Sequence, residues 1–274
     1  MYCKHDYQMD KNKECNSLVK QDLLNTFPEW WKDINAEDYY LVMTDDCDSL
    51  FSCQRLHTLF NIEVGGFYSF DSGLWLSEEI ADWKTPIYVD LSIGQNQLCF
   101  DNHRTFLKNP NRVNPNNIPR RYYEKYNFGT LALIAALYGG VSDMDEEQKT
   151  LLIAVDGGFI GYYRNNGRWK DVNLYWLDKL GLTEYLVPIL EKHDMKYFQD
   201  FSVDYGLYDK ILISKDGFLE TPTYSVPQCQ FDLVQPVEKV FTNIYDATKR
   251  FKNNENIWVS AETYQNKYVL NIAT

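Results

Sequence analysis

The chain has 274 residues, 45% of them hydrophobic and 16% aromatic, which excludes a disordered chain and leaves room for one large or two smaller cored domains. Its net charge of −12 excludes a general basic field for gripping long nucleic acid, while a short anionic ligand held by metal ions or a local Arg cluster stays open. No run reaches the roughly 18 apolar residues of a membrane span, the opening MYCKHDYQMDKNKEC lacks an apolar signal core, and the six cysteines form no CxxC pair, so the expected setting is cytoplasmic with reduced thiols.

In chain order, residues 1–15 read as a polar arm and NSLVKQDLLNTF has helical spacing, with Asn16 or Ser17 as its cap. YYLVMT (39–44) is a dense apolar run and reads as a buried strand, followed by a helix through LFSCQRLHTLF. Further strands are expected at 61–70, 74–76, 86–92 and 97–101, with a short helix at SEEIADW. Residues 108–119 hold three prolines and five asparagines and read as a long loop. FGTLALIAALYGG reads as a helix with a Gly stop, and DEEQKTLLIAVDGGFIGYY as another with acids at its start.

Residues 171–200 look helical. From 205 onward, strands at KILIS and YVLNI combine with a helix at PVEKVFTNIYDATKRF. The expected class is α/β, a doubly wound, mostly parallel sheet with flanking helices. The expected organisation is an N-terminal arm and helix (1–37), an α/β domain (38–165), a helical block (166–204) and a small α+β domain (205–274).

Acids mark the strand ends. Asp46 and Asp48 follow YYLVM, Asp90 follows PIYV, Asp101 follows QLCF, and Asp156 lies inside the apolar, helix-like run LLIAVDGGF. Sites in open α/β sheets form at the carboxyl ends of strands. A single one of these acids reads equally well as a helix cap or a turn residue. Four at successive junctions would repel one another, and Mg²⁺ or Mn²⁺ would relieve that repulsion.

The motifs carrying these acids resemble the DHH phosphoesterase superfamily. DCDSLFS (46–52) is similar to its Asp-x-Asp motif, YVDLS to its second motif, FDNHRT to the name-giving Asp-His-His, FGTLALIAALYG to the small-residue helix after it, and LLIAVDGGF to the fourth motif. Order and spacing agree over about residues 38–165. The superfamily includes single-strand exonucleases, oligoribonucleases, cyclic-dinucleotide phosphodiesterases and manganese pyrophosphatases. The resemblance implies a two-metal hydrolase in which Asp46, Asp48, Asp90 and Asp156 ligate Mn²⁺ or Mg²⁺, and Asp90 and Asp156 bridge. It further implies that His103 contacts substrate phosphate and that Asp101 orients the pair, with Asn102 and Arg104 beside the substrate. The chain departs from the pattern at Asn102, where the family has its first His, and at Val42 and Thr44, ahead of the Asp-x-Asp.

Arg104, Arg112, Arg120 and Arg121 lie on or near the long loop and could meet phosphate oxygens. His57 reads as packed or solvated. DGGFIGYY has no phosphate-loop lysine, and no GxSxG occurs. A haloacid-dehalogenase-like start at LVMTDDCDSL would leave FDNH unexplained. The expected function is metal-dependent hydrolysis of a short nucleotide phosphodiester or another small phosphoester, with no membrane or long nucleic acid as partner and a homodimer compatible. The alternative is a degenerate member that binds a nucleotide or protein without catalysis.

Overall fold

The computed structural model describes residues 17–69, 71–105, 108–164 and 167–236, together with two short strands at 257–258 and 270–271. A seven-stranded sheet organises these residues. Its strands are β1 (Tyr39–Thr44), β2 (Val64–Ser69), β3 (Gly73–Leu76), β4 (Thr85–Val89), β5 (Leu98–Phe100), β6 (Arg112–Val113) and β9 (Asp232–Pro236), in spatial order β6-β5-β4-β1-β2-β3-β9. β1, β2, β4, β5 and β6 run parallel. β3 and β9 pair antiparallel at the other edge. The class is therefore α/β, with a mostly parallel sheet.

Side-chain alternation in the strands decides what each face meets. Leu41, Met43, Phe67, Ile87, Val89, Phe100 and Val113 join the main core, which also takes in the helices. Each such Leu or Phe contributes about 1.5–3 kcal/mol by leaving water. Tyr40, Val42, Tyr68, Tyr88 and Cys99 point the other way. With Leu91 and Ile93 they form a smaller cluster, and Leu74, Leu76 and Ile80 flank it. Among the described residues that second cluster contains no helical residue.

Among the described residues, eight α-helices follow in chain order. α1 (Gln21–Leu24) is a single turn, and its N-cap is Lys20 with no side-chain cap bond. α2 (Cys47–Phe60) is capped by Asp46 and ends at Asn61, whose φ of 56° is the left-handed stop that Asn tolerates. α3 (Thr130–Tyr138) is buried from Thr130 to Leu137 and packs on α2. A helix of Leu, Ile and Ala with no polar face has to be a central one. α4 (Glu146–Ala154) and α5 (Phe159–Tyr163) take the place of one long helix, and Asp156 falls in the break between them. Gly157, at φ 66°, supplies the left-handed backbone there. α6 (Gly167–Lys179), α7 (Thr183–Lys192) and α8 (Met195–Asp204) complete the helical layer.

Other local expectations shift. SEEIADW is turn and bend instead of helix. The Asn/Pro stretch contains β6 and a 3-10 turn, Pro115–Asn117. Residues 232–236 add a strand to the main sheet beside β3. β7 (Leu212–Ile213) and β8 (Leu219–Glu220) form a small hairpin, and β10 (Ile257–Trp258) pairs with β11 (Leu270–Asn271). The helix expected at 236–251 lies outside the described residues from 237 on, and Pro236 itself ends β9. Among the described residues, no helix is long and apolar enough to cross a membrane.

Chain direction places the site. From β1 the chain moves through α2 to β2 on one side, and later returns to β4 on the other. This reversal makes a topological switch point between the carboxyl ends of β1 and β4, the place where open α/β sheets bind ligands.

Candidate functional site at the β1–β4 switch point

Asp46 and Asp48 follow β1, Asp90 follows β4 and Asp101 follows β5, so three neighbouring parallel strands deliver acids to one edge. Ser49 stitches the switch point. Its hydroxyl accepts from the Thr44 amide at 2.8 Å and donates to the Val89 carbonyl at 2.8 Å, tying α2 to both strands. Asp46 accepts from the Ser49 amide at 3.0 Å and caps α2. The capping role weighed for it in the sequence is therefore real, and that carboxylate is committed at one oxygen.

Asp48 is buried and accepts two amide hydrogen bonds from the start of α3, from Thr130 at 2.6 Å and Leu131 at 2.9 Å. Both are among the amides that a helix N-terminus leaves unpaired. The Thr130 hydroxyl then donates to Asp90 Oδ1 at 2.7 Å. One residue of α3 thus joins the acid of β1 to the acid of β4. Thr130 could have been read from sequence only as part of a small-residue helix.

Gly129 makes this approach possible, because a Cβ there would lie 2.6 Å from Asp48 Oδ1. Asp48 is pinned by two amides and cannot swing away. Gly129→Ala is expected to cost about 1–3 kcal/mol by overpacking, read as a lowered denaturation midpoint. An unchanged midpoint would mean that Asp48 is not held as described.

Asp90 is buried and has φ 60°. A non-Gly residue held left-handed at the end of a core strand stores strain of the kind that collects at functional positions. Burial and the nearby Asp48 carboxylate push the Asp90 carboxyl well above the usual range, and Asp46 and Asp156 add to the effect. Burial, then Asp46, pushes Asp48 up to about 7. His103 opposes both shifts.

His103 is held firmly. Its Nδ1 lies 2.9 Å from Asp101 Oδ1 and 3.7 Å from Asp90 Oδ1, and its amide donates to Asp101 Oδ1 at 3.1 Å. Asn114 Nδ2 donates to Asp101 Oδ2 and to the His103 carbonyl, each at 2.8 Å. Asp101 therefore fixes the orientation of the imidazole. Asp90, Asp101 and His103 each offer a ligand atom within 4.8 Å of the others. Asp46, Asp48 and Asp156 fall outside this trio.

Asp156 is exposed on the α4–α5 break, where its Oδ2 accepts from Asn102 Nδ2 at 2.7 Å. Asn102 Nδ2 also donates to the Phe128 carbonyl at 3.1 Å. Asn102 Oδ1 is buried and has no hydrogen-bond partner. Arg104 is partly exposed and makes no ion pair among the described residues. His57 Nδ1 lies 3.1 Å from the Ile62 carbonyl, away from the switch point.

A buried acceptor without a donor and neighbouring carboxylates are features that a cation could satisfy. Carboxylate and amide oxygens with one imidazole suit Mg²⁺ or Mn²⁺. The residues present fit such an ion.

Lys210 is the cation that sequence reading passed over. Its Nζ lies 3.0 Å from Asp45 Oδ1, and the neighbouring Ile211 amide donates to the Asp45 carbonyl at 3.0 Å. Burial lowers the Lys210 pKa, but Asp45 and Asp46 outweigh that and raise it. No spacing signal links residue 210 to the β1–α2 turn, so only the fold could place it there. No family model matches the chain, and neither the curated proteins nor the solved structures contain a match.

Proposed function

We propose that the protein is a metal-dependent phosphoesterase of DHH type, acting on a short nucleotide phosphodiester. The supporting observation is the environment of Asp90: buried, left-handed, bonded by Thr130 and set among Asp48, His103 and Asp101 at the switch point. Asp90 would hold Mn²⁺ or Mg²⁺, with the Asn102 carboxamide oxygen beside it; the resemblance adds Asp46, Asp48 and Asp156 as ligands, which lie outside the Asp90–Asp101–His103 trio. Such a cation, when bound, lowers the pKa of water and neutralises phosphoryl charge. His103, steadied by Asp101, would donate to a phosphoryl oxygen as charge builds up. Arg104 stands beside it on the same segment and adds a second donor.

One observation favours a second reading, a nucleotide-binding protein without hydrolysis. Asn102 donates to Asp156 Oδ2, so it occupies an oxygen that a bridging ligand would offer. An imidazole at that position could ligate an ion directly.

Calorimetric titration with MnCl₂ and MgCl₂ separates the readings, combined with turnover of a dinucleotide, a cyclic dinucleotide and pyrophosphate. Cation binding with turnover of one of these substrates is the expected result. Absence of both sinks the enzyme reading, and nucleotide binding without turnover establishes the second.

A further inference from the structure

Beside β3 and β9, on the sheet face that carries Tyr40 and Val42, lies a cavity of about 500 Å³. Tyr40, Leu76, Ile80 and Val234 give it an apolar lining. Gly65 lets Ile80 lie directly on β2, since a Cβ at that position would overlap the Ile80 side chain. Three exposed acids, Glu78, Asp82 and Asp232, stand around this lining. Among the described residues none of the three makes an ion pair or a side-chain hydrogen bond. The one cation of the cavity, Lys84, donates through Nζ to the Ala36 carbonyl at 2.7 Å. Between Asp82 and Lys84 comes Trp83, at 79% the most exposed large apolar side chain among the described residues.

The cavity adjoins a sheet edge. β9 pairs with β3 on one side, and among the described residues no strand pairs with its other side. Leu233 and Val234 are about half exposed there. A strand edge with neither lysine nor a bulge to blunt it is a template for another strand. Asp232 and Val234, two residues apart, both line the cavity, as the period of a strand requires.

A strand added beside β9 sets every second side chain toward the same cavity, while its main chain bonds to the open edge. Unpartnered carboxylates, an exposed indole and an apolar lining suit a basic side chain, whose stem lies on the lining and whose head meets acids and ring. A second copy of this chain fits less well, because pairing β9 with itself brings two acid rims together in a chain of net charge −12. We infer that the outer edge of β9 takes an extended peptide of a partner protein as an added strand, with Lys or Arg at alternate positions seated among Glu78, Asp82 and Asp232. The surface uses no residue of the Asp90–Asp101–His103 trio, so it stands apart from the phosphoesterase reading.

The test is fluorescence anisotropy of a fluorescein-labelled peptide of alternating Thr and Lys with the full chain in EDTA. The control peptide spaces the same lysines with Pro, which keeps the charge but cannot add as a strand. The alternating peptide is expected to bind about 10-fold tighter than the control or better, to weaken as salt rises, and to slow hydrogen exchange across residues 232–236. Val234→Lys, which puts a like charge on the edge, is expected to weaken binding by about 10-fold or more. The pair Asp82→Asn and Asp232→Asn should weaken it by about 3-fold or more at low salt, and Trp83→Ala by a similar factor. All these side chains are exposed, so the fold does not depend on them. Four results overturn the inference: no binding at low salt, equal binding of the two peptides, binding without slower exchange at 232–236, or full affinity in Val234→Lys. A dimer that forms with rising concentration and already protects the β9 amides overturns it in favour of a second copy.

Discussion

Asp90→Asn is expected to abolish cation-dependent turnover and to weaken Mn²⁺ binding by at least about 100-fold, the upper end of what even an outer partner of a metal ligand costs. The substitution keeps the side chain's volume and leaves an amide oxygen to accept from the Thr130 hydroxyl, a bond of 2.7 Å in the parent. Fold loss is therefore not the cause. What goes is the anionic charge between Asp48 and His103. Calorimetric titration of the variant beside the parent reads the effect directly, and an affinity within threefold of the parent would remove Asp90 from the centre of the site. The same variant should be more thermally stable than the metal-free parent at neutral pH, since it no longer buries that carboxyl.

The second large effect is the pH dependence of the metal-free protein. Asp48 and Asp90 both titrate above the ordinary carboxyl range in the folded state, Asp48 at about 7. Below about pH 4, the unfolded value of Asp, both carboxyls are protonated in folded and unfolded chains alike, and their burial carries no charge penalty. As pH rises from about 4, the unfolded chain releases protons that the folded chain keeps, so stability falls. Asp48's share of that fall is complete once the pH passes its folded value of about 7. By linkage each unit of such a shift is worth about 1.4 kcal/mol.

Melting curves of the parent and of Asp90→Asn should therefore meet near pH 4 and separate toward neutrality, with the variant the more stable. Parallel curves would show that Asp90 carries no such penalty. Mn²⁺ restores what ionisation takes away. At 100 times its dissociation constant it should add about 2.7 kcal/mol, with the largest gain at and above pH 7, where the carboxyls are ready to ligate.

The acids of the switch point were legible because the cost of burying charge makes them conspicuous. An Asp closing an apolar run needs a partner, and β1, β4 and β5 each end that way. Asp101 was legible for the same reason and does orient His103. Their partners were not. Thr130, Asn114 and Asn116 are ordinary residues until the chain brings them within hydrogen-bond reach. The Asn-rich stretch shows this well: read as a long loop, it commits all five asparagines to hydrogen bonds, two of them to the backbone or side chains of Asp101, Asn102 and His103. Asn favours turns and also carries a donor and an acceptor, and composition does not tell the two uses apart. Asp156 was assigned to a helix interior because its run is apolar. Gly157 breaks that run with a left-handed turn, and the aspartate emerges on an exposed corner.

By itself the sequence determined the class and its polarity. Period-two apolar runs and period-3.6 stretches are local, and burial on one or both faces rewards them directly, so a mostly parallel α/β sheet with acids at its carboxyl edge could be read before any coordinates. Tertiary structure alone decided the strand order and its reversal at β1 and β4, and the recruitment of the short strand Asp232–Pro236 to the sheet edge. It alone decided the docking of Lys210 at Asp45 and the bridge from Asp48 through Thr130 to Asp90 as well. These are contacts between residues 40 to 165 positions apart. Their energy appears only after chain closure has brought the partners together, and no local pattern encodes it.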